Sequence, residues 1–314
     1  MPSGPFPTPD LGTDCPQSPA GDAAGAWAMR LLARETRVSP GRIPRDLGGR
    51  PILPATSRLD GDCYVLRTDN GLGFCYRRGE GITVEHAPGA DLSEESLWLH
   101  GSIYAAVASI NGLMPIHASA VVHAGRVYAF TGQSGVGKST LVAALGERSL
   151  PMFADDTLVL DLSDPERVIC LPGHKRLKLS AQAIALTGAE QQEKVSAGID
   201  KFYARPASAS DAAPLPLAEL IFLDQGDRLA ISPISGGAGI ARLADDHYTT
   251  DLFARAQQLD RAALFALRAR LAGQIVMSSL TRPYDIARFA ASAELATRHI
   301  RSPAPRDIHE SPAA

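Results

Sequence analysis

Cysteine is scarce in this chain and shows no pattern. The four residues, Cys15, Cys63, Cys75 and Cys170, have no CxxC spacing, which excludes a zinc ribbon or a dithiol redox motif. Cys63 and Cys75 can face each other across a hairpin, but buried thiols in a reducing cytoplasm are the simpler reading. No apolar run approaches the roughly 18–20 residues of a membrane span. A basic stretch followed by an apolar one is missing from the first residues, which speaks against a secretory signal and for a cytoplasmic protein. Excess charge of one sign is missing too: 31 Lys and Arg face 34 Asp and Glu, a formal net charge of −3. Gripping nucleic acid takes clustered cations, so neither nucleic acid nor membrane is an expected partner. The eight histidines form no HxxxH or HxH pair, so no zinc site is expected. Neither Ser119 nor Ser134 lies in a GxSxG elbow, which disfavours hydrolase chemistry.

What the sequence does have is glycine and proline, 28 and 23 among 314 residues, in a composition that is 45% hydrophobic. That is enough apolar residue for a sizeable core, and the length suits one large domain plus a smaller one. Pro2, Pro5, Pro7, Pro9, Pro16 and Pro19 crowd the first residues, so 1–22 is expected to be a disordered tail, and 301–314 a second one. Residues 23–112 read as an N-terminal helix (23–36), a small β-rich region (47–86) and a linking helix (93–110) with Ser93 at its N-cap. Asn70-Gly71 marks a hairpin within the β-rich region.

Residues 113–300 alternate between the two periods. Strands are expected at 116–122, 126–131, 153–160, 217–223, 229–234 and 275–280. Helices are expected at 139–147, 251–273 and 285–299, and 204–216 reads as an exposed loop. This alternation indicates an α/β nucleotide-binding core.

The sharpest motif is Gly132-Gln133-Ser134-Gly135-Val136-Gly137-Lys138-Ser139, followed by Thr140. It satisfies GxxxxGK[ST] at every fixed position, between a strand and a helix. The glycines let successive N–H groups converge on phosphate oxygens. Lys138 supplies a cation to the outer phosphates of ATP, the Ser139 hydroxyl can ligate Mg²⁺, and the helix points its positive end at the same place. Downstream, Asp155 and Asp156 precede an apolar run. Neighbouring strand positions point opposite ways unless the backbone bends, so the two carboxylates are expected to have different tasks. Asp245-Asp246 reads as a surface pair.

His117, the P-loop and the Asp pair together resemble the catalytic domain of HPr kinase/phosphorylase, and more closely the divergent serine kinases of that superfamily associated with ribosomal-peptide and lasso-peptide biosynthesis. The resemblance covers roughly 116–160. It implies a P-loop kinase core with a mixed β-sheet flanked by helices, preceded by a small β-rich region. It further implies ATP and Mg²⁺ as cofactors and a serine hydroxyl of a small protein or peptide as acceptor, and it leaves homo-oligomerisation open. By the same resemblance His117 lies near the phosphates, Asp155 is the base toward the acceptor serine, and Asp156 joins Ser139 in holding Mg²⁺. The loop reads Lys138-Ser139-Thr140 where HPr kinases have Lys-Ser-Glu, and the Arg-Gly-x-Gly signature of the bifunctional enzymes has no clear counterpart.

Two further readings of the same residues stay open: a nucleotide-binding sensor or scaffold without transfer, and a P-loop ATPase. Lys175 or Arg176 can approach the nucleotide or acceptor, or lie in a solvated turn. The same choice holds for Lys194 and Lys201. His100 and His123 read as interfacial and turn residues.

Overall fold

The structure, a computed structural model, describes residues 22–302 apart from 212, 245 and 246; for 22–24 and 247–249 only the backbone is described. The proline-rich start, the far end of the chain, Cys15 and the Asp245-Asp246 pair lie outside the described residues. The fold is mixed α/β.

Helix α1 (Asp22–Glu35) buries Ala28 and Leu32, four residues apart on one face. A five-stranded sheet follows. Its members are β1 (Val38–Pro40), β4 (Thr56–Asp60), β5 (Cys63–Arg67), β6 (Leu72–Arg77) and β7 (Gly81–His86), with β2 (Asp46–Leu47) and β3 (Arg50–Pro51) pairing separately. The order is β1-β7-β6-β5-β4. Gly71 in the β5–β6 turn has φ +90°, the conformation that the Asn-Gly signal calls for. Cys63 and Cys75 share a thiol hydrogen bond, Sγ atoms 3.8 Å apart, and form no disulfide; both are buried free thiols, as is Cys170.

The linking helix differs from expectation at its start. Asp91, not Ser93, caps it: the Asp91 carboxylate accepts from the Ser93 N–H at 2.9 Å. A 3₁₀ turn leads into α2 (Glu95–Trp98), a π-helical turn (Leu99–Ile103) and α3 (Tyr104–Ile110). Helix α3 is buried along residues 105–110. It is clamped between Tyr64, Phe74, Tyr76 and Ile82 of the small sheet and Val159 and Leu171 of a larger one.

That larger sheet contains β8 (Met114–Ile116), β9 (Ala118–His123), β10 (Arg126–Thr131), β11 (Met152–Ala154), β12 (Leu158–Asp161), β13 (Ile169–Leu171), β17 (Leu215–Gln225), β18 (Ala230–Ile234) and β19 (Val276–Arg282). The order is β11-β9-β10-β17-β13-β12-β8, and β19 pairs with β17 and β18. Strands β10, β17 and β19 run parallel, and the remaining pairs antiparallel. Alternate residues supply two cores. Tyr128, Phe130, Ile221 and Leu223 pack with α4 (Lys138–Gly146), α5 (Ala181–Thr187) and α9 (Phe289–Arg301). Val127, Ala129, Leu220 and Phe222 pack with Leu243, Phe253 and Leu271, the last two from α7 (His247–Ala256) and α8 (Arg261–Gln274). Leu243 directly follows α6 (Gly236–Arg242). A third sheet, β14 (Leu177–Leu179), β15 (Glu190–Ser196) and β16 (Ile199–Arg205), has the order β14-β16-β15. With α5, it had no clear signal in the sequence.

Three expected elements are broken. The helix read at 251–273 is two helices: Gln258 turns back at φ +52° and the Asp260 carboxylate caps α8 through the Ala263 N–H at 2.7 Å. The strand read at 116–122 is interrupted at His117, and the one at 153–160 between Ala154 and Leu158. These two breaks face each other, since β8 pairs with β12 and β9 with β11. The segment that follows β16 also does more than connect: Ser208 O and the Ser210 N–H bond Met152 at 3.0 and 2.9 Å, covering the edge of β11.

Candidate phosphate-binding site

The P-loop joins β10 to α4, and its backbone explains its sequence. Gly132, Gly135 and Gly137 have φ +142°, +83° and +93°. A Cβ on Gly132 would lie 2.9 Å from Leu223 O, and one on Gly137 2.7 Å from the Arg282 guanidinium. Gly137 is the N-cap of α4 and no side chain caps that helix, so its first N–H groups are available to an anion. Lys138 is nearly buried and curls over the loop, donating to Gly132 O at 2.9 Å and Gln133 O at 3.1 Å.

The facing strand breaks bring His117, Asp155 and Asp156 to this loop. The bend is at Asp156, with φ +71°, which sends the two carboxylates to different surroundings. Asp155 is fully buried. Its Oδ1 accepts from Ser119 Oγ at 2.6 Å and its Oδ2 from the Lys178 N–H at 3.1 Å, and the nearby Ser139 hydroxyl also favours its ionised form. Burial, and then the neighbouring Asp156 charge, hold its carboxyl above the usual range against these hydrogen bonds.

Asp156 is half-buried. Lys178 Nζ donates to its Oδ2 at 2.8 Å, and His117 Nδ1 lies 2.9 Å from its carbonyl oxygen and 3.6 Å from its Oδ1. Burial raises this carboxyl, but the Lys178 ammonium brings it below its ordinary value. The His174 ring packs on His100, centroids 4.9 Å apart. Burial, with nearby positive charge, pushes His100 down to about 3 and His174 to about 4, so both rings are neutral at neutral pH.

Two cavities meet here. The larger, about 1130 Å³, is reached by the π-helical turn through Gly101 and Ser102, by β8, by the first half of the P-loop and by the ends of β17 and α6. The smaller, about 580 Å³, is lined by Lys138, Ser139 and Thr140, by Lys178 and Lys201, and by α5 and residues 282–286. His117, Ser134, Gly135, Asp156 and Tyr284 line both; Asp155 lines neither.

The other basic candidates lie elsewhere. Lys175 donates to Phe153 O at 2.5 Å and to Ser210 Oγ at 3.3 Å, and burial pulls its ammonium down to about 8. Arg176 lies over the Tyr203 ring and pairs with Glu193. Lys194 donates to Ala197 O at 3.3 Å. His123 ends β9.

Lys178 and Asp224 were not singled out from the sequence, though each left a signal. Lys178 is a charge between two leucines on a buried strand, a placement that needs a partner. Asp224 follows four apolar residues on β17, the strand paired in parallel with β10, and bonds to Arg242 at 2.6 Å and Ser279 at 2.5 Å.

No family model matches this chain, and neither does any curated protein. Among solved structures it is similar to the HPr(Ser) kinase/phosphatase from Coxiella burnetii, at 14% identity and a TM-score of 0.33, over 60% of this chain and 88% of that one.

Proposed function

We propose that the chain is an ATP- and Mg²⁺-dependent kinase that phosphorylates a serine hydroxyl of a small protein or peptide. The observation that carries this reading is that Asp156 stands where two cavities meet at a P-loop. One cavity begins at Lys138, Ser139 and Thr140 and suits the nucleotide; the other leaves room for an acceptor.

The residues fit the cofactors. The loop has the positive-φ glycines, the cation and the uncapped helix end that suit a triphosphate. Magnesium beside phosphates takes one or two protein oxygens; the Ser139 hydroxyl, with Asp155 buried behind it, would offer one. When bound, the cation neutralises charge on the phosphates.

Two carboxylate roles follow, and they reverse those implied by the resemblance. Asp155, buried beside Ser139 with both oxygens engaged by Ser119 and Lys178, belongs to the metal side. Asp156 belongs to the acceptor side. It takes the serine proton as serine Oγ bonds to the γ-phosphorus and the bond from that phosphorus to the β-phosphate oxygen breaks, leaving ADP. Lys138 leaves its loop carbonyls to meet the phosphates. Lys178 and His117 hold the Asp156 carboxylate in place. Proximity and charge neutralisation supply the remaining rate.

Calorimetry with Mg²⁺ tests the nucleotide half of this reading. The wild-type chain is expected to bind ATP, and Lys138→Ala to lose most of that affinity. Equal ATP binding by the two proteins would rule it out.

A second reading, acceptor-independent ATP hydrolysis, is favoured by Asp224, because P-loop ATPases carry an acidic residue at the end of an apolar strand. Phosphate release without acceptor that survives Asp156→Asn but not Asp224→Asn would establish it.

A further inference from the structure

Two large side chains with apolar surface stand exposed beside the phosphate loop. Tyr284 is 71% exposed and Ile286 52%, both between β19 and the body of α9. Their segment is pinned to the loop. Arg282, almost buried, donates to Val136 O at 2.5 Å, and Tyr284 Oη donates to Gly135 O at 3.3 Å. Asp285 then caps the following turn by accepting from the Ala287 N–H at 2.9 Å. The smaller cavity runs from Lys138, Ser139 and Thr140 to this segment, with Ala183 and Leu186 of α5 also on its wall. Leaving apolar area in water forfeits the free energy of burying it. Next to a cradle for a polyanion, such area suits a ligand that joins a flat apolar plane to its phosphates.

We infer that Tyr284 and Ile286 form the nucleobase end of the site and bind the base by its face. The inference rests on the nucleotide reading above and adds the part of the chain that recognises the nucleoside. The ligand class is a nucleoside triphosphate, its base against Tyr284 and Ile286 with Ala183 and Leu186 as the remaining wall, and its phosphates toward Lys138. Face recognition is tolerant, because every base has a π-face; ATP and GTP are therefore held with similar strength. Arg282 is a positioning residue, since it fixes where the segment leaves β19.

Calorimetry on the full chain with Mg²⁺, using ATP and inorganic tripolyphosphate as the two probes, tests this directly. The wild type is expected to bind ATP about tenfold more tightly than tripolyphosphate. In the double variant Tyr284→Ala, Ile286→Ala, ATP affinity should fall to near that of tripolyphosphate, with a much smaller change in tripolyphosphate affinity because Arg282 still holds the segment to Val136 O. Both side chains are exposed, so the thermal melt of the variant should match that of the wild type. An unchanged ratio of the two affinities, including equal losses of both, overturns the inference and leaves the P-loop reading intact. A wild-type chain that binds neither probe overturns both.

Discussion

Lys178 Nζ lies 2.8 Å from Asp156 Oδ2, at the point where two opposed strands break beside the P-loop. The ammonium lowers the Asp156 carboxyl, whereas burial alone would raise it. In Lys178→Met the carboxyl therefore rises, and it becomes protonated at pH values where the wild type is ionised. A base must be ionised to take a proton. The acidic limb of the transfer rate should move to higher pH, as read from a pH–rate profile; an unmoved limb would exclude Asp156 as the group that titrates.

The two aspartates should separate on substitution. Asp156→Asn keeps the shape and removes the proton acceptor, so transfer should fall by roughly 10²–10⁴-fold with ATP affinity close to wild type. Asp155→Asn should instead raise the Mg²⁺ concentration needed for half-maximal rate, because it sits behind Ser139. Magnesium titrations of both variants provide the comparison.

Gly137 and Gly135 make a matched pair. Both have positive φ, but a Cβ on Gly137 meets the Arg282 guanidinium at 2.7 Å while one on Gly135 meets nothing within 4 Å. Gly135→Ala should cost only the left-handed strain, about 1–2 kcal/mol. Gly137→Ala adds displacement of Arg282 from Val136 O and should melt at a lower temperature than Gly135→Ala. Thermal unfolding of the two variants decides this.

Away from the site, His299 Nε2 lies 2.8 and 3.0 Å from the two oxygens of the buried Glu219 carboxylate. The hydrogen bond to Glu219 raises the imidazole pKa above its ordinary value, against burial. A raised folded-state pKa contributes stability that is fully present below about pH 6.5, the unfolded value, and is lost as pH rises through the folded one. Unfolding free energy measured by denaturant should decline over that window, and His299→Gln should flatten the decline.

The strand, loop and helix around 132–139 were legible because the pattern is local: the glycines, Lys138 and Ser139 are close together in the chain, and the strand and helix beside them appeared where their periodicity put them. The Asn70-Gly71 hairpin was legible for the same reason. The carboxylate arrangement was not. Which of Asp155 and Asp156 faces the cleft depends on one positive φ, set by strands that break opposite each other, and no short-range pattern encodes that meeting. Lys178 is separated from Asp156 by two strands, so its partner is a tertiary fact. The helix expected at 251–273 hid a readable stop. Its apolar spacing continued through Gln258, and Asp260 was a cap signal that periodicity outweighed.

Phosphoryl transfer through Asp156 is tested most directly by mass spectrometry. Candidate small proteins and peptides encoded beside the gene would be incubated with ATP, Mg²⁺ and either the wild-type chain or Asp156→Asn. The expected result is a phosphoserine on one acceptor with the wild type and none with the variant. A phosphoserine formed equally by both proteins, or ATP consumed at the same rate with no acceptor modified, would contradict it.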